Sequence, residues 1–131
     1  MIVLDTHALV WWVSGDSQLS RAAREAIEAE GQDGEILISA ITAWEVAMLV
    51  KAGRLALTMD ATAWLDTVVQ VPAVRFVPVD VRISVQSVEL PGEFHKDPAD
   101  RFIVATARHL SAPLVTADLK IRDYPHVQTI W

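Results

Sequence analysis

The sequence contains no cysteine and has few basic residues. The first shortage excludes several kinds of site, and the second argues against one class of protein. Without cysteine among its 131 residues, the chain has no disulfide, no thiolate metal site and no thiol nucleophile. The chain has 11 lysines and arginines and 17 aspartates and glutamates, which gives a formal net charge of −6. This balance counts against a general nucleic-acid binder with a broad basic surface. It does not exclude an enzyme acting on RNA, because bound metal ions neutralise gathered acids.

Long apolar runs are also missing. No stretch approaches the ~20 apolar residues that a membrane-spanning helix needs. Asp5 interrupts the apolar N-terminus, which has no positively charged start, so we expect no signal peptide. We therefore expect a cytoplasmic protein that does not associate with membranes. The length of 131 residues and the apolar content of 52% predict a single domain over residues 1–131.

Short apolar strands alternate with helical segments along the chain. We predict strands at 2–4, 35–38, 75–79, 113–116 and 127–130, and helices at 6–13, 20–30, 41–52, 60–70, 81–88 and 97–110. Gly31 is expected to end the second helix, and Pro78 favours an edge position or a strand end for the third strand. The alternation predicts an α/β fold with three layers, α/β/α, around a central, mostly parallel sheet of four to five strands.

Two acids directly follow predicted strands. Asp5 comes after Ile2-Val3-Leu4, and Asp118 comes shortly after Leu114-Val115-Thr116. Active sites of parallel sheets lie outside the carboxyl ends of the strands, and neighbouring strands bring these ends together. Each acid also has an ordinary structural interpretation, since Asp is a favoured helix cap and turn residue. Two acids at two strand ends are more informative than either one alone.

Glu45 lies in the apolar segment Ile41-Thr42-Ala43-Trp44-Glu45-Val46-Ala47-Met48-Leu49-Val50. Because every position except Thr42 and Glu45 is apolar, we expect most of the circumference of this helix to be buried. No basic residue lies one turn away to pair with Glu45. A buried carboxylate without a partner is costly, so the pattern favours a functional acid at the rim of a pocket. A solvent-facing glutamate on a narrow polar stripe is the alternative.

The segment Asp97-Pro98-Ala99-Asp100 is typical of a helix start, with Asp97 as N-cap and Pro98 at the first helical position. Asp100 would lie in the first turn, where the helix dipole favours acids. That alone would make both acids structural. The apolar run after Arg101 must pack closely on the sheet, however, and this would point Asp100 toward the strand ends.

The histidines, tryptophans and basic residues are weaker indications of a functional site than the four acids. The histidines at 7, 95, 109 and 126 lack the spacing of zinc ligands. His95 could contact a phosphate beside Lys96, although it could equally be an ordinary loop residue. The tryptophans could stack on bases, but their helical and strand context favours core packing. Several basic residues of the C-terminal third could contact phosphates or form an ordinary surface: Lys96, Arg101, Arg108, Lys120 and Arg122.

Asp5, Glu45, Asp100 and Asp118 are therefore candidate catalytic and metal-binding residues that can meet only through the fold. Mg²⁺ and Mn²⁺ prefer hard oxygen ligands, and such ions can activate water for phosphodiester hydrolysis without a protein nucleophile.

Four segments together resemble the PIN-domain family, and within it the VapC toxins of type II toxin–antitoxin pairs. They are Met1–Leu9, Ser39–Glu45, Asp97–Ala107 and Leu114–Asp118. Each segment alone is a weak signal, but all four occur in the family's order along the whole chain. The resemblance implies a PIN-like fold and a metal-dependent endoribonuclease that cleaves RNA and inhibits translation.

The resemblance also implies residue roles and partners. Asp5 and Asp100 would be the firmest direct ligands of Mg²⁺ or Mn²⁺. Glu45 and Asp118 would complete the site or hold the ion through water, Thr6 and Thr116 would support them, and Asp97 would be a secondary acid. The expected partners are an RNA substrate, a cognate VapB-like antitoxin whose C-terminal segment covers the active site, and a second copy of the chain in a homodimer.

Two other functions deserve comparison. A non-catalytic PIN module that binds RNA or a protein would not need the intact set of four acids. A phosphorylatable receiver domain also gathers acids at strand ends, but it needs paired early acids and a late lysine after a strand. Here one acid is early and Glu45 lies within a helix, so the receiver interpretation ranks last.

Overall fold

Residues 1–131 are described by a computed structural model. Its strands are β1 (Ile2–Leu4), β2 (Ile36–Ser39), β3 (Val74–Val77), β4 (Leu114–Val115) and β5 (Thr129–Ile130). They form one sheet in the order β3-β2-β1-β4-β5, and every neighbouring pair is parallel. The predicted central sheet is thus confirmed with five strands, and β3 lies at an edge, as Pro78 indicated.

The helices are α1 (Thr6–Ser14), α2 (Arg21–Asp33), α3 (Ile41–Lys51), α4 (Ala61–Val69), α5 (Val81–Val88), α6 (Pro98–His109) and α7 (Leu119–Arg122). Several begin where a side chain accepts a hydrogen bond from a backbone N–H of the first turn, as at Ser20, Asp60, Asp80 and Asp97. The longest helix, α2, has 13 residues, and none combines the length and the hydropathy that a bilayer crossing requires.

Alternate strand residues feed two separate cores, one on each face of the sheet. Ile2, Leu4 and Ile38 belong to a core with residues of α1, α2, α3 and α4. Val3 and Leu37 point the other way and pack with residues of α5, α6 and α7. The two-residue period of a strand produces this division, and it establishes the three layers α/β/α.

The structure departs from the predicted elements at three places. Helix α2 continues through Gly31 to Asp33, and Gly34 caps it by donating to the carbonyl of Glu30. Helix α7 was not predicted, because a helix of 4 residues is too short to show periodicity. The expectation that α3 is buried around most of its circumference is wrong, since Trp44 is 53% exposed and Met48 is 44% exposed.

The carboxyl ends of β2, β1 and β4 lie side by side and position the candidate residues. Asp5 follows β1 directly, α3 with Glu45 follows β2, and Asp118 begins α7 after β4. Helix α6 packs beside α3 and β1, which brings its first turn to the same edge.

Candidate active site

A cavity of about 390 Å³ lies at the carboxyl ends of the strands, which we call the carboxyl edge of the sheet. Five carboxylates line it. They are Asp5, Glu45, Asp97, Asp100 and Asp118, together with His7, Trp11 and Ala117. The structure therefore brings all four candidate acids to one pocket, with Asp97 as a fifth. Their catalytic role stays a prediction, but the convergence on which it depends is present in the fold.

Asp5 is the most deeply buried of these acids, with 7% of its surface exposed. Its Oδ1 accepts a hydrogen bond from the Thr6 N–H at 2.8 Å, and its Oδ2 accepts one from Thr116 Oγ1 at 2.7 Å. Burial raises the pKa of the Asp5 carboxyl, while the bonds from Thr116 and Thr6 oppose that rise. Asp5 is thus both the cap of α1 and a fixed wall of the pocket.

Thr116 links the ends of β1 and β4. Besides donating to Asp5, its hydroxyl accepts a hydrogen bond from the Asp118 N–H at 3.0 Å. Asp118 in turn caps α7 by accepting from the Lys120 N–H at 2.8 Å. The capping interpretation of Asp118 is therefore correct, and the same geometry leaves its other carboxylate oxygen without a hydrogen bond.

Glu45 reaches the pocket from a helix that is exposed on its other side. Its Oε1 accepts a hydrogen bond from Thr6 Oγ1 at 2.5 Å, and that hydroxyl lies 3.0 Å from Thr42 Oγ1. Burial raises the pKa of the Glu45 carboxyl, the bond from Thr6 opposes this, and the nearby charges of Asp5 and Asp97 raise the pKa further. Thr6 and Thr42 are buried, so this contact orients Glu45 rigidly.

Asp97 and Asp100 enter from the first turn of α6. Asp97 accepts a hydrogen bond from the Asp100 N–H at 3.2 Å, which confirms it as the N-cap. The Asp100 side chain is only 15% exposed. Its burial, followed by repulsion from Asp5, Asp97, Asp118 and Glu45, raises the pKa of the Asp100 carboxyl to about 8.

No lysine or arginine neutralises this group of acids. The ion pairs of the chain lie elsewhere, and the only basic group within 4.0 Å of a pocket carboxylate is the imidazole of His95, at 3.1 Å from Asp100. Arg101 is turned away and donates to backbone carbonyls instead. Like charges gathered without a counter-charge destabilise one another, so the pocket is suited to a cationic ligand.

The donor set fits a hard cation that keeps water. No three acidic or histidine side chains are arranged to hold one ion together. Mg²⁺ typically keeps several waters and is bound through one or two carboxylates, so it does not require such a cage. Glu45, Asp97 and Asp118 each have one carboxylate oxygen that accepts no hydrogen bond, and Asp100 has no aligned bond at either oxygen. These oxygens suit Mg²⁺ or Mn²⁺.

Sequence reasoning missed two residues that line the pocket, His7 and Trp11. Their ring centroids are 5.7 Å apart, and Trp11 also contacts Trp131 at 5.8 Å. His7 lies two residues after Asp5, and this closeness was the one available signal. The expectation of core packing holds for Trp64, which is buried, and is wrong for Trp44.

Comparison with known proteins decides the family. The sequence profile of the PIN domain matches residues 2–127. This chain belongs to the PIN-domain family. Ribonuclease VapC22 of Mycobacterium tuberculosis is 35% identical to it over 132 residues, which cover 99% of this chain and 98% of that protein.

Solved structures confirm the predicted PIN-like fold. The crystal structure of VapBC2 from Rickettsia felis bound to a DNA fragment from their promoter matches with a TM-score of 0.71 and 18% identity, over 98% of this chain and 97% of that one. A toxin–antitoxin complex from Klebsiella pneumoniae matches with a TM-score of 0.67 and 24% identity, over 97% and 95% of the two chains. At these identities the likeness concerns the fold.

Proposed function

We propose that this PIN-domain protein is a metal-dependent endoribonuclease and the toxin of a type II toxin–antitoxin pair, with residues 1–131 as one catalytic unit. The observation that carries the proposal is the pocket of five carboxylates without a lysine or arginine partner. The identity of 35% to Ribonuclease VapC22 supports RNA as the substrate. A cytoplasmic location follows from this function, because RNA substrates are met there.

Asp5 and Asp100 are proposed as direct ligands of Mg²⁺ or Mn²⁺, with Glu45 and Asp118 completing the site or holding the ion through water. When bound, such an ion supplies an activated water and stabilises charge on the phosphate oxygens. Asp97 adds a further negative charge at the pocket. No protein nucleophile is needed for this hydrolysis.

The chain's own residues prepare the pocket for this reaction. Asp5 cannot turn away, because each of its oxygens accepts a hydrogen bond. Thr6 holds Glu45 through one carboxylate oxygen and leaves the other oxygen without a hydrogen bond. Asp100 must lose its proton before it can serve as a ligand, and its raised pKa makes that loss depend on pH. Trp11 offers an aromatic ring at the pocket on which an unpaired base can stack.

An RNA-cleavage assay tests the proposal. The native chain, Asp5→Asn and Asp100→Asn are incubated with transfer, ribosomal and messenger RNA in the presence of Mg²⁺ or Mn²⁺, and fragments are separated by electrophoresis. We expect internal cleavage by the native chain, none in EDTA, and almost none by either variant. Equal cleavage by the variants would reject the assigned site. A native chain that binds RNA without cutting it would instead support the non-catalytic module.

Exposed apolar side chains support the proposed protein partners, a VapB-like antitoxin and a second copy of the chain. Val81, Val85 and Val88 form a stripe on α5, with 82%, 49% and 76% of their surfaces exposed. Trp44 and Met48 form a second exposed apolar patch on α3. Exposed apolar groups of this kind mark interaction surfaces. Light scattering of the isolated chain should give the mass of a dimer.

A further inference from the structure

The connection between α5 and α6, residues 89–97, is held in place by Arg101. This side chain donates to four backbone carbonyls: Ser87 at 2.8 Å, Val88 at 3.1 Å, Phe94 at 2.9 Å and His95 at 3.2 Å. The first two carbonyls belong to the end of α5, and the other two belong to the connection. Arg101 therefore ties the connection to both helices and fixes the backbone of His95.

Tyr124 holds the same connection from the other side. Its hydroxyl donates to the carbonyl of Pro91, and its ring lies 4.7 Å from the ring of Phe94 between centroids. The Phe94 ring also lies 4.3 Å from the imidazole of His95. Because Tyr124 is buried, these contacts give the imidazole a packed and defined position at the edge of the pocket.

The two nitrogens of His95 have different surroundings. Nδ1 accepts a hydrogen bond from the backbone N–H of Asp97 at 3.4 Å, so it carries no proton in the neutral ring. The proton is then on Nε2, which is buried and has no aligned hydrogen bond in the protein. The nearest acid to Nε2 is Asp100, whose Oδ2 lies 3.1 Å away.

We infer that His95 is a positioning residue for Asp100. Its Nε2 lies 3.1 Å from Oδ2 of Asp100, so a small rotation of the ionised carboxylate lets Nε2–H hold it turned into the pocket, with Oδ1 left for the metal ion. The inference rests on the proposed function, because it concerns how the metal site is assembled. The observation that carries it is the buried Nε2 atom, for which Asp100 is the only carboxylate within 4.0 Å.

Repulsion explains why Asp100 needs such a partner. The charges of Asp5, Asp97, Asp118 and Glu45 all act against an ionised Asp100. A free aspartate in that position would turn away from them. The burial of Nε2 also argues against His95 as a phosphate contact, because a phosphate could not reach that atom.

The protonation of the ring is tested first, without metal and without RNA. Nitrogen-15 NMR of the native chain under mildly alkaline conditions, where an ordinary imidazole is neutral, distinguishes the two tautomers. We expect His95 to carry its proton on Nε2. A proton on Nδ1 would overturn the inference whatever the enzyme does.

Metal affinity is tested next by calorimetric titration of Mn²⁺ into the native chain, His95→Leu and His95→Gln. Loss of a partner that orients a metal ligand typically costs about 10–100-fold in affinity, and we expect His95→Leu to show such a loss. His95→Gln keeps a donor at similar reach and should recover most of the affinity. His109→Leu is the matched control, since His109 is exposed on α6, and it should bind Mn²⁺ like the native chain.

The outcomes separate this inference from the proposed function. Native protein that binds Mn²⁺ and cuts RNA, with His95→Leu equal to it, would overturn the positioning role alone. Equal losses in His95→Leu and His95→Gln would overturn it as well, because the donor would then be irrelevant. Native protein that neither binds Mn²⁺ nor cuts RNA would overturn the proposed function, and the inference would fall with it.

Discussion

Acidic residues at the amino ends of the strands have cationic partners, whereas those at the carboxyl ends lack a lysine or arginine partner. Near the amino ends of β1 and β2, Glu30 lies 2.6 Å from the Met1 ammonium, and Glu35 lies 3.0 Å from Arg75. The hydrogen bond from the ammonium holds the pKa of Glu30 below its ordinary value. At the carboxyl ends, burial and mutual repulsion raise the pKa of Asp5, Glu45 and Asp100.

The difference separates acids that are neutralised within the chain from the acids that we propose to bind a cation. The paired acids of the amino edge have their counter-charge within the chain. The acids of the carboxyl edge have no lysine or arginine to neutralise them, and their burial and mutual repulsion disfavour the ionised form in the folded state. The comparison can be tested by exchanging charge at one edge and then at the other.

The largest effect is expected on RNA cleavage. Asp5→Asn should lower the cleavage rate at least about a hundredfold, since losing several kcal/mol of metal-based charge stabilisation changes a rate by that much or more. Glu35→Gln, at the amino edge, should leave the rate unchanged. Initial rates on the same RNA with saturating Mg²⁺ measure both. Similar losses in the two variants would remove the distinction between the edges.

Metal affinity should depend strongly on pH. Because the pKa of Asp100 is raised to about 8, the ion must displace a proton below that pH. The dissociation constant for Mn²⁺ should rise by about tenfold for each pH unit below 8 if one proton is released. Calorimetric titrations across this range measure the slope. A flat profile would show that Asp100 is already ionised or takes no part in binding.

A smaller effect is expected from the hydroxyl of Thr6. Thr6→Val removes the hydrogen bond to Glu45 and keeps the side-chain shape, so Mn²⁺ affinity should fall by about tenfold. Thr67→Val is the control, because the Thr67 hydroxyl only bonds a carbonyl within α4. If both valine variants bind Mn²⁺ like the native chain, Thr6 does not organise the site.

The smallest effect is expected on stability without metal. Asp100 has a raised pKa when folded, so its favourable contribution is present below its ordinary pKa of 3.8 and is lost as pH rises through about 8. Asp100→Asn should therefore raise Tm above pH 8 by about 3–6 °C, the shift that ~1 kcal/mol produces in a domain of this size. Thermal melts in EDTA measure it. Arg75→Gln, which breaks a surface pair, should not raise Tm; an Asp100→Asn variant that melts lower than native would contradict the sign.

The strands, most helix starts and the four acids could be predicted because each depends on nearby residues. Asp97-Pro98 fixes the start of α6 by capping chemistry, and Ile2-Val3-Leu4 is apolar enough to be a buried strand. The family resemblance then assigned the four acids to one metal site, which no local pattern could do. The fold confirms that they share one pocket, as parallel strand ends predicted.

What the sequence did not reveal depends on contacts between distant segments. The apolar composition of α3 predicted burial, but the exposed faces of Trp44 and Met48 are left uncovered by the rest of the chain. The contacts of His95 and Arg101 had no local signal either. From the sequence, His95 could have been an ordinary loop residue and Arg101 an ordinary surface cation. Their positions follow from the packing of α5, α6 and Tyr124 around one connection.

The central claim, that the carboxylates of the carboxyl edge form one divalent cation site, is tested most directly by crystals of the native chain soaked in Mn²⁺. Anomalous scattering locates manganese without reference to activity. We expect a peak inside the pocket, between Asp5 and Asp100, either bound to them or bridged by water. Manganese that occupies other surfaces at saturating concentration, with no peak in the pocket, would contradict the claim.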